Sequence, residues 1–164
     1  MEYVKSHLEE WIEDLYKSIN IEHSHQINFE QIAASLGVNI RFSPQKSFGF
    51  RALGRYVIVL DSRKEHHEQW LEFAHELCHI YRHENDLRVM PETWNEYNER
   101  QARYFAYHFC VPSFMLRKLK MPSLKGEAIK LISDNFNVTY AFAALRLEMY
   151  RKKQFLLSLN EKRD

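Results

Sequence analysis

The sequence predicts an α+β fold, mostly helical, with a small mixed or antiparallel sheet of about three strands and a helix-turn-helix-like pair near the C-terminus. Three observations predict it. Several long segments repeat apolar residues at helical spacing. Short runs rich in Val, Ile, Tyr and Phe cluster between residues 38 and 60. Capping and turn residues punctuate both kinds of segment. The 164 residues suit one domain with a real core. It reads as 1–164, with N-terminal helices over 1–44, a sheet and two site-bearing helices over 45–112, and a helical part over 113–164.

The elements follow in order. Residues 3–19 predict a helix with Val4, Leu8, Trp11, Ile12, Leu15 and Ile19 on one stripe. A polar break holds His23 and His25, read as surface histidines. Asn28 caps a short helix that stops at Gly37. Strands are expected over 38–42, 48–53 and 55–60, the last two joined tightly at Gly54-Arg55. Ser62 and Glu65 form an S-x-x-E capping box for a helix over 63–83 that buries Trp70, Phe73, Ala74, Leu77, Ile80 and Tyr81. Thr93 and Glu96 form a second box, opening a helix to Val111 that Pro112 ends. Its stripe is Glu99, Ala102, Ala106 and Phe109. Helices follow over 113–120, 123–136 and 139–153. Ala128, Ile129, Ile132, Ala141, Ala144 and Leu145 are expected at the last crossing, with Arg146, Arg151, Lys152 and Lys153 as a basic, solvated face.

Composition excludes several classes. Nearly half the residues are apolar and aromatics are plentiful, which argues against disorder. A net charge of +1 demands no polyanionic partner. Cys78 and Cys110 fall in predicted helices and read as reduced thiols, which fits a cytoplasmic protein. The first residues open an acidic amphipathic segment rather than a signal peptide. No apolar run approaches the ~20 residues that cross a bilayer.

The chemistry concentrates in His75-Glu76-Leu77-Cys78-His79, an H-E-x-x-H pattern on a predicted helix. Residues four apart share a face, so both imidazoles reach one metal ion while Glu76 stands beside it as a base. This suits zinc as a Lewis acid. A catalytic zinc takes three protein ligands and keeps one position for water. No glycine turn brings a third histidine in from downstream, so the third ligand is expected on the second helix. Glu99 lies beside small residues that permit close helix approach; Glu96, one turn earlier, competes for the role. The plainer readings are histidines satisfied by carbonyls and a solvated Glu99. His83 reads as a surface residue or a partner of the ligands. Tyr81, Tyr104 and His108 are the candidates to stabilise an oxyanion.

With these residues in view, the chain resembles the ImmA/IrrE family of zinc metallopeptidases. The match runs from Phe73-Ala74-His75-Glu76-Leu77-Cys78-His79, through His83, to Glu99-Arg100-Gln101-Ala102-Arg103-Tyr104-Phe105-Ala106 and Pro112. It covers about 45–150. Cys78 stands where the family usually has glycine, and Gln101 where it often has a second glutamate. The resemblance implies a zincin-like fold, Glu99 as third ligand, Zn²⁺ as cofactor and a protein substrate. That substrate is commonly a helix-turn-helix repressor of a prophage or mobile element. The alternatives are a catalytically silent module that captures a repressor or antitoxin, and a DNA binder using the C-terminal helices. The near-balanced charge argues against direct nucleic-acid binding.

Overall fold

The computed structural model describes residues 3–82 and 92–160. It is mostly helical with a three-stranded mixed sheet, as the periodicities predict. Two compact units emerge along the chain: Ile27–Cys110, and Met1–Gln26 together with Val111–Asp164. No helix among the described residues is long and apolar enough to cross a membrane.

The Ile27–Cys110 unit opens with α1 (Phe29–Ser35), where Asn28 Oδ1 accepts from the Gln31 amide at 2.9 Å. Gly37 follows at φ 69° and turns the chain into β1 (Val38–Ser43). β2 (Phe48–Ala52) and β3 (Arg55–Asp61) complete the sheet in the order β1-β3-β2. β1 runs parallel to β3 and β2 antiparallel, so β2 is an edge strand. The β2–β3 connection is Leu53-Gly54 rather than Gly54-Arg55. Ala52 pairs with Arg55, and both linking residues have positive φ, 49° and 74°. That is the backbone of a two-residue hairpin turn whose twist matches its strands.

Two long helices close this unit, α2 (His66–Arg82) and α3 (Glu92–Cys110). The expected capping box at Ser62 is absent. Asp61 instead accepts from the Arg63 amide at 3.0 Å and from its guanidinium at 2.8 and 2.7 Å, so the turn continues and the helix starts at His66. Glu68 reaches back to the Glu65 amide at 3.1 Å and caps the start. Trp70, Phe73, Ala74 and Leu77 are buried as predicted, together with Ala102, Phe105, Ala106 and Phe109 of α3. The aromatic cluster links three helices: Phe29 lies 5.7 Å from Phe73, and Trp70 lies 5.7 Å from Phe109. Each fully buried ring stabilises by roughly 1.5–3 kcal/mol. Cys78 and Cys110 are buried free thiols. Tyr81 differs from expectation: it is part-exposed, and its hydroxyl donates to the Leu36 carbonyl at 3.0 Å.

The second unit holds α4 (His7–Ser18), α5 (Ser113–Leu116), α6 (Lys125–Phe136) and α7 (Tyr140–Asn160). α4 begins at 7 because Ser6 and Glu9 form a reciprocal capping box. Its buried stripe is Glu9, Ile12, Glu13 and Tyr16, while Val4 and Trp11 are exposed. The stripe rotates because Glu9 is drawn inward by polar partners. Asn137, left-handed at φ 51°, ends α6. Thr139 Oγ1 then accepts from the Phe142 amide at 3.2 Å and opens α7. The crossing buries Ala128, Ile132, Phe136, Ala143 and Leu147; Ala141 and Leu145 face outward. α7 also runs seven residues past the expected end at Lys153. Arg146 is no part of a basic face. It is 1% exposed, with Nε donating to the Val111 carbonyl at 3.0 Å and Nη2 to Ser113 Oγ at 2.7 Å.

Candidate metal centre

α2 sets His75 and His79 one turn apart, and α3 brings Glu99 against them. The Nε2 atoms of the two histidines are 3.1 Å apart. Glu99 Oε2 lies 3.1 Å from His75 Nε2, and Oε1 lies 3.3 Å from His79 Nε2. One ligand atom from each residue falls within 4.8 Å of the others. Zinc bonds of ~2.0–2.1 Å at tetrahedral angles separate neighbouring ligand atoms by about 3.3 Å. The two imidazole nitrogens and the nearer Glu99 oxygen to each stand at about that spacing, although His75 and His79 meet different oxygens of the carboxylate. Two imidazoles and a carboxylate are also a donor set that catalytic zinc takes. The residues present fit the ion.

Helix contact explains why Glu99 reaches. Ala102 and Ala106, both buried on α3, have no side chain long enough to hold the helices apart. Glu96 sits one turn back, exposed, lining a cleft with Asn95, Glu99, Arg100 and Arg103.

Glu76 is partly buried beside the pair. Burial first, then the Glu99 carboxylate, pushes its carboxyl up to about 7, while a backbone hydrogen bond from Gly49 opposes the rise. Burial likewise lowers His75, with Glu99 pulling it back up.

Beside Glu76 lie β2, which the sequence predicts only as a strand, and the turn before it. A Cβ on Gly49 would meet Ile80 Cγ2 at 3.0 Å and the Glu76 carbonyl oxygen at 3.6 Å. Ser47 Oγ accepts from the Asp61 amide at 2.8 Å and donates to Glu72, one turn before Glu76. Lys64 pairs with the same Glu72. The glycine between two phenylalanines was the signal available: strand interiors use glycine where another backbone comes close.

The remaining candidates are placed as follows. Tyr104 is exposed and His108 buried, their rings 4.6 Å apart on α3. His83 lies outside the described residues.

Comparison with known proteins completes the description. The family profile for peptidase M78, the IrrE N-terminal-like domain, matches residues 22–148. The chain is 50% identical over 153 residues to the uncharacterized protein YqaB of Bacillus subtilis (strain 168), covering 93% of this chain and 89% of that one. It is 38% identical over 149 residues to the phage-like element PBSX protein XkdA of the same strain, covering 91% and 75%. A solved Mycobacterium tuberculosis transcriptional regulator shares the fold with TM-score 0.60 at 15% identity, over 83% of this chain and 44% of its own, so the chain spans under half of that regulator. A match across most of the sequence, on a fold that gathers two histidines and a glutamate from adjoining helices, means that the chain belongs to the M78 peptidase family of IrrE N-terminal-like domains.

Proposed function

We propose that the chain is a zinc-dependent endopeptidase that cleaves one regulatory protein, a helix-turn-helix repressor of a prophage or mobile element. The observation that carries this is the set of three ligand spacings with Glu76 held beside them. The phage-like element relative supports the genetic setting.

His75, His79 and Glu99 would hold the ion. Zinc, when bound, polarises a carbonyl and acidifies water toward a pKa of ~7. Glu76 then takes the proton of the attacking water and later passes it to the leaving amine. Burial, which favours the protonated Glu76 carboxyl, suits a group that takes up a proton and passes it on. Among the described residues, β2 has no partner on its outer edge, and an extended substrate can add there as a strand. Tyr104 and His108 are proposed to steady the oxyanion.

The test pairs the wild type with Glu76→Gln. Each is incubated with the helix-turn-helix repressors of its own genome, with and without zinc, and read by intact mass. The wild type should cut one repressor, and the variant should be slower by about 100-fold to 10,000-fold. Zinc analysis should find about one ion per chain in both, and little in His79→Ala. Cleavage at similar rates by both proteins, or by neither, defeats the peptidase reading. Tight repressor binding without cleavage supports the silent-module reading. The DNA-binding reading loses support because buried Arg146 cannot serve a phosphate-facing surface.

A further inference from the structure

The cleft beside Glu99 has a volume of about 360 Å³ and contains two guanidiniums, Arg100 and Arg103. Both are exposed and line the same cleft as the proposed ligand. Helical spacing would ordinarily neutralise them, because Glu96 precedes Arg100 and Glu99 precedes Arg103 by four residues. That pairing does not occur. Glu99 turns its two oxygens to His75 and His79, at 3.1 and 3.3 Å. Among the described residues, no carboxylate lies within ion-pair distance of Arg100 or Arg103.

A planar guanidinium has five donors in a fixed fork that matches a carboxylate with two parallel hydrogen bonds. Once Glu99 serves a cation, Glu96 is the one acidic side chain left among the described residues that line this cleft, against two arginines. A third cation acts on the same groups. Lys46, exposed in the turn before β2, bears on both His75 and Glu76, as Arg103 bears on His75.

We infer that Arg100 and Arg103 form a subsite for a substrate carboxylate next to the scissile bond, so that the preferred substrate segment is acidic. This rests on the peptidase reading for its meaning, while the binding itself can be measured without cleavage. The carboxylate can belong to an Asp or Glu side chain or to the end of a chain; the chemistry is shared.

The experiment uses zinc-loaded full-length Glu76→Gln protein and labelled peptides with a common Phe-Leu centre. Their flanks are rich in Glu, Gln or Lys, each with a free or an amidated C-terminus, and binding is read by fluorescence anisotropy. The Glu peptide should bind about fivefold to tenfold tighter than the Gln peptide, since exposed ion pairs are individually weak. In Arg100→Glu/Arg103→Glu the order should invert, with the Lys peptide tightest. Arg100→Lys/Arg103→Lys should keep the original order, which separates charge from folding damage. Loss of the preference on amidation assigns the subsite to a chain end; persistence assigns it to side chains. Equal binding of Glu and Gln peptides, or an order unchanged by the double reversal, overturns the inference. Acid preference without repressor cleavage would defeat the peptidase reading alone. Repressor cleavage with no acid preference would defeat the subsite alone.

Discussion

At the scale of single residues, Gly49 marks a close approach of β2 to α2 in the proposed site. Any side chain there must displace Ile80 Cγ2, which a Cβ would meet at 3.0 Å, and Ile80 is itself buried. Gly49→Ala should therefore destabilise by about 1–3 kcal/mol, the usual cost of overpacking a well-packed contact. Thermal unfolding should show a loss of roughly 2–12 °C. An unchanged midpoint would mean that β2 does not rest on α2. The residues legible in the sequence were those whose partners lie one helical turn away. His75, Glu76 and His79 are read from a five-residue pattern because helix geometry converts spacing directly into proximity. Glu99 is suggested by the small residues around it, and its carboxylate is the one that lies against His75 and His79 among the described residues. Gly49, Ser47 and Lys46 were not legible as parts of the site. They reach it through strand pairing and sheet-on-helix packing, which leave no local pattern.

At the scale of elements, turn chemistry decided where reading succeeded. Asn28 and Gly37 obey local capping rules, and α1 ends where they say. Leu53 breaks the rule for its turn. It is fully exposed at φ 49°, a conformation costly for a residue with a bulky Cβ, and it precedes Gly54 at φ 74°. A leucine there disguises the turn, which is why the connection was placed one residue late. Leu53→Asn should relieve the strain and stabilise by about 0.5–1 kcal/mol, raising the unfolding midpoint by roughly 1–4 °C. Gly54→Val should do the opposite by a larger margin. Equal midpoints for the three proteins would show that the hairpin opens freely at no cost to the fold. The late start of α2 has the same kind of cause: Asp61 captures Arg63 and spends the residues that Ser62 would have used as a cap.

At the scale of the whole chain, periodicity located most of the apolar core but not the buried charges. Glu9 is 4% exposed and Arg146 1% exposed, both on helices whose polar positions read as solvated. A charge is almost never fully buried unless it is paired, so such residues escape prediction until their partners are known. Here the partners come from opposite ends of the sequence. Glu9 accepts from Tyr3 at 2.5 Å, from the Ser6 amide at 2.8 Å, and from Ser113 and Lys153, while Arg146 donates to the same Ser113 at 2.7 Å. Burial alone would raise the Glu9 carboxyl. The hydrogen bonds from Lys153, Ser113, Tyr3 and the Ser6 backbone outweigh it and bring it from 4.5 down to about 2. A carboxyl lowered by folding contributes stability above its unfolded value, and loses that contribution as pH falls from 4.5 toward 2. The contribution is on the order of 3 kcal/mol. Denaturant titrations from pH 6 to pH 3 should thus show the wild type losing stability steeply below about pH 4.5. Glu9→Gln should be less stable near neutrality, because Lys153 loses its carboxylate and Ser6 its full cap. Its stability should also change less over that acid range, so the two curves converge as pH drops. Parallel curves would show that Glu9 titrates alike in folded and unfolded chains, and the network would then be packing without charge selectivity.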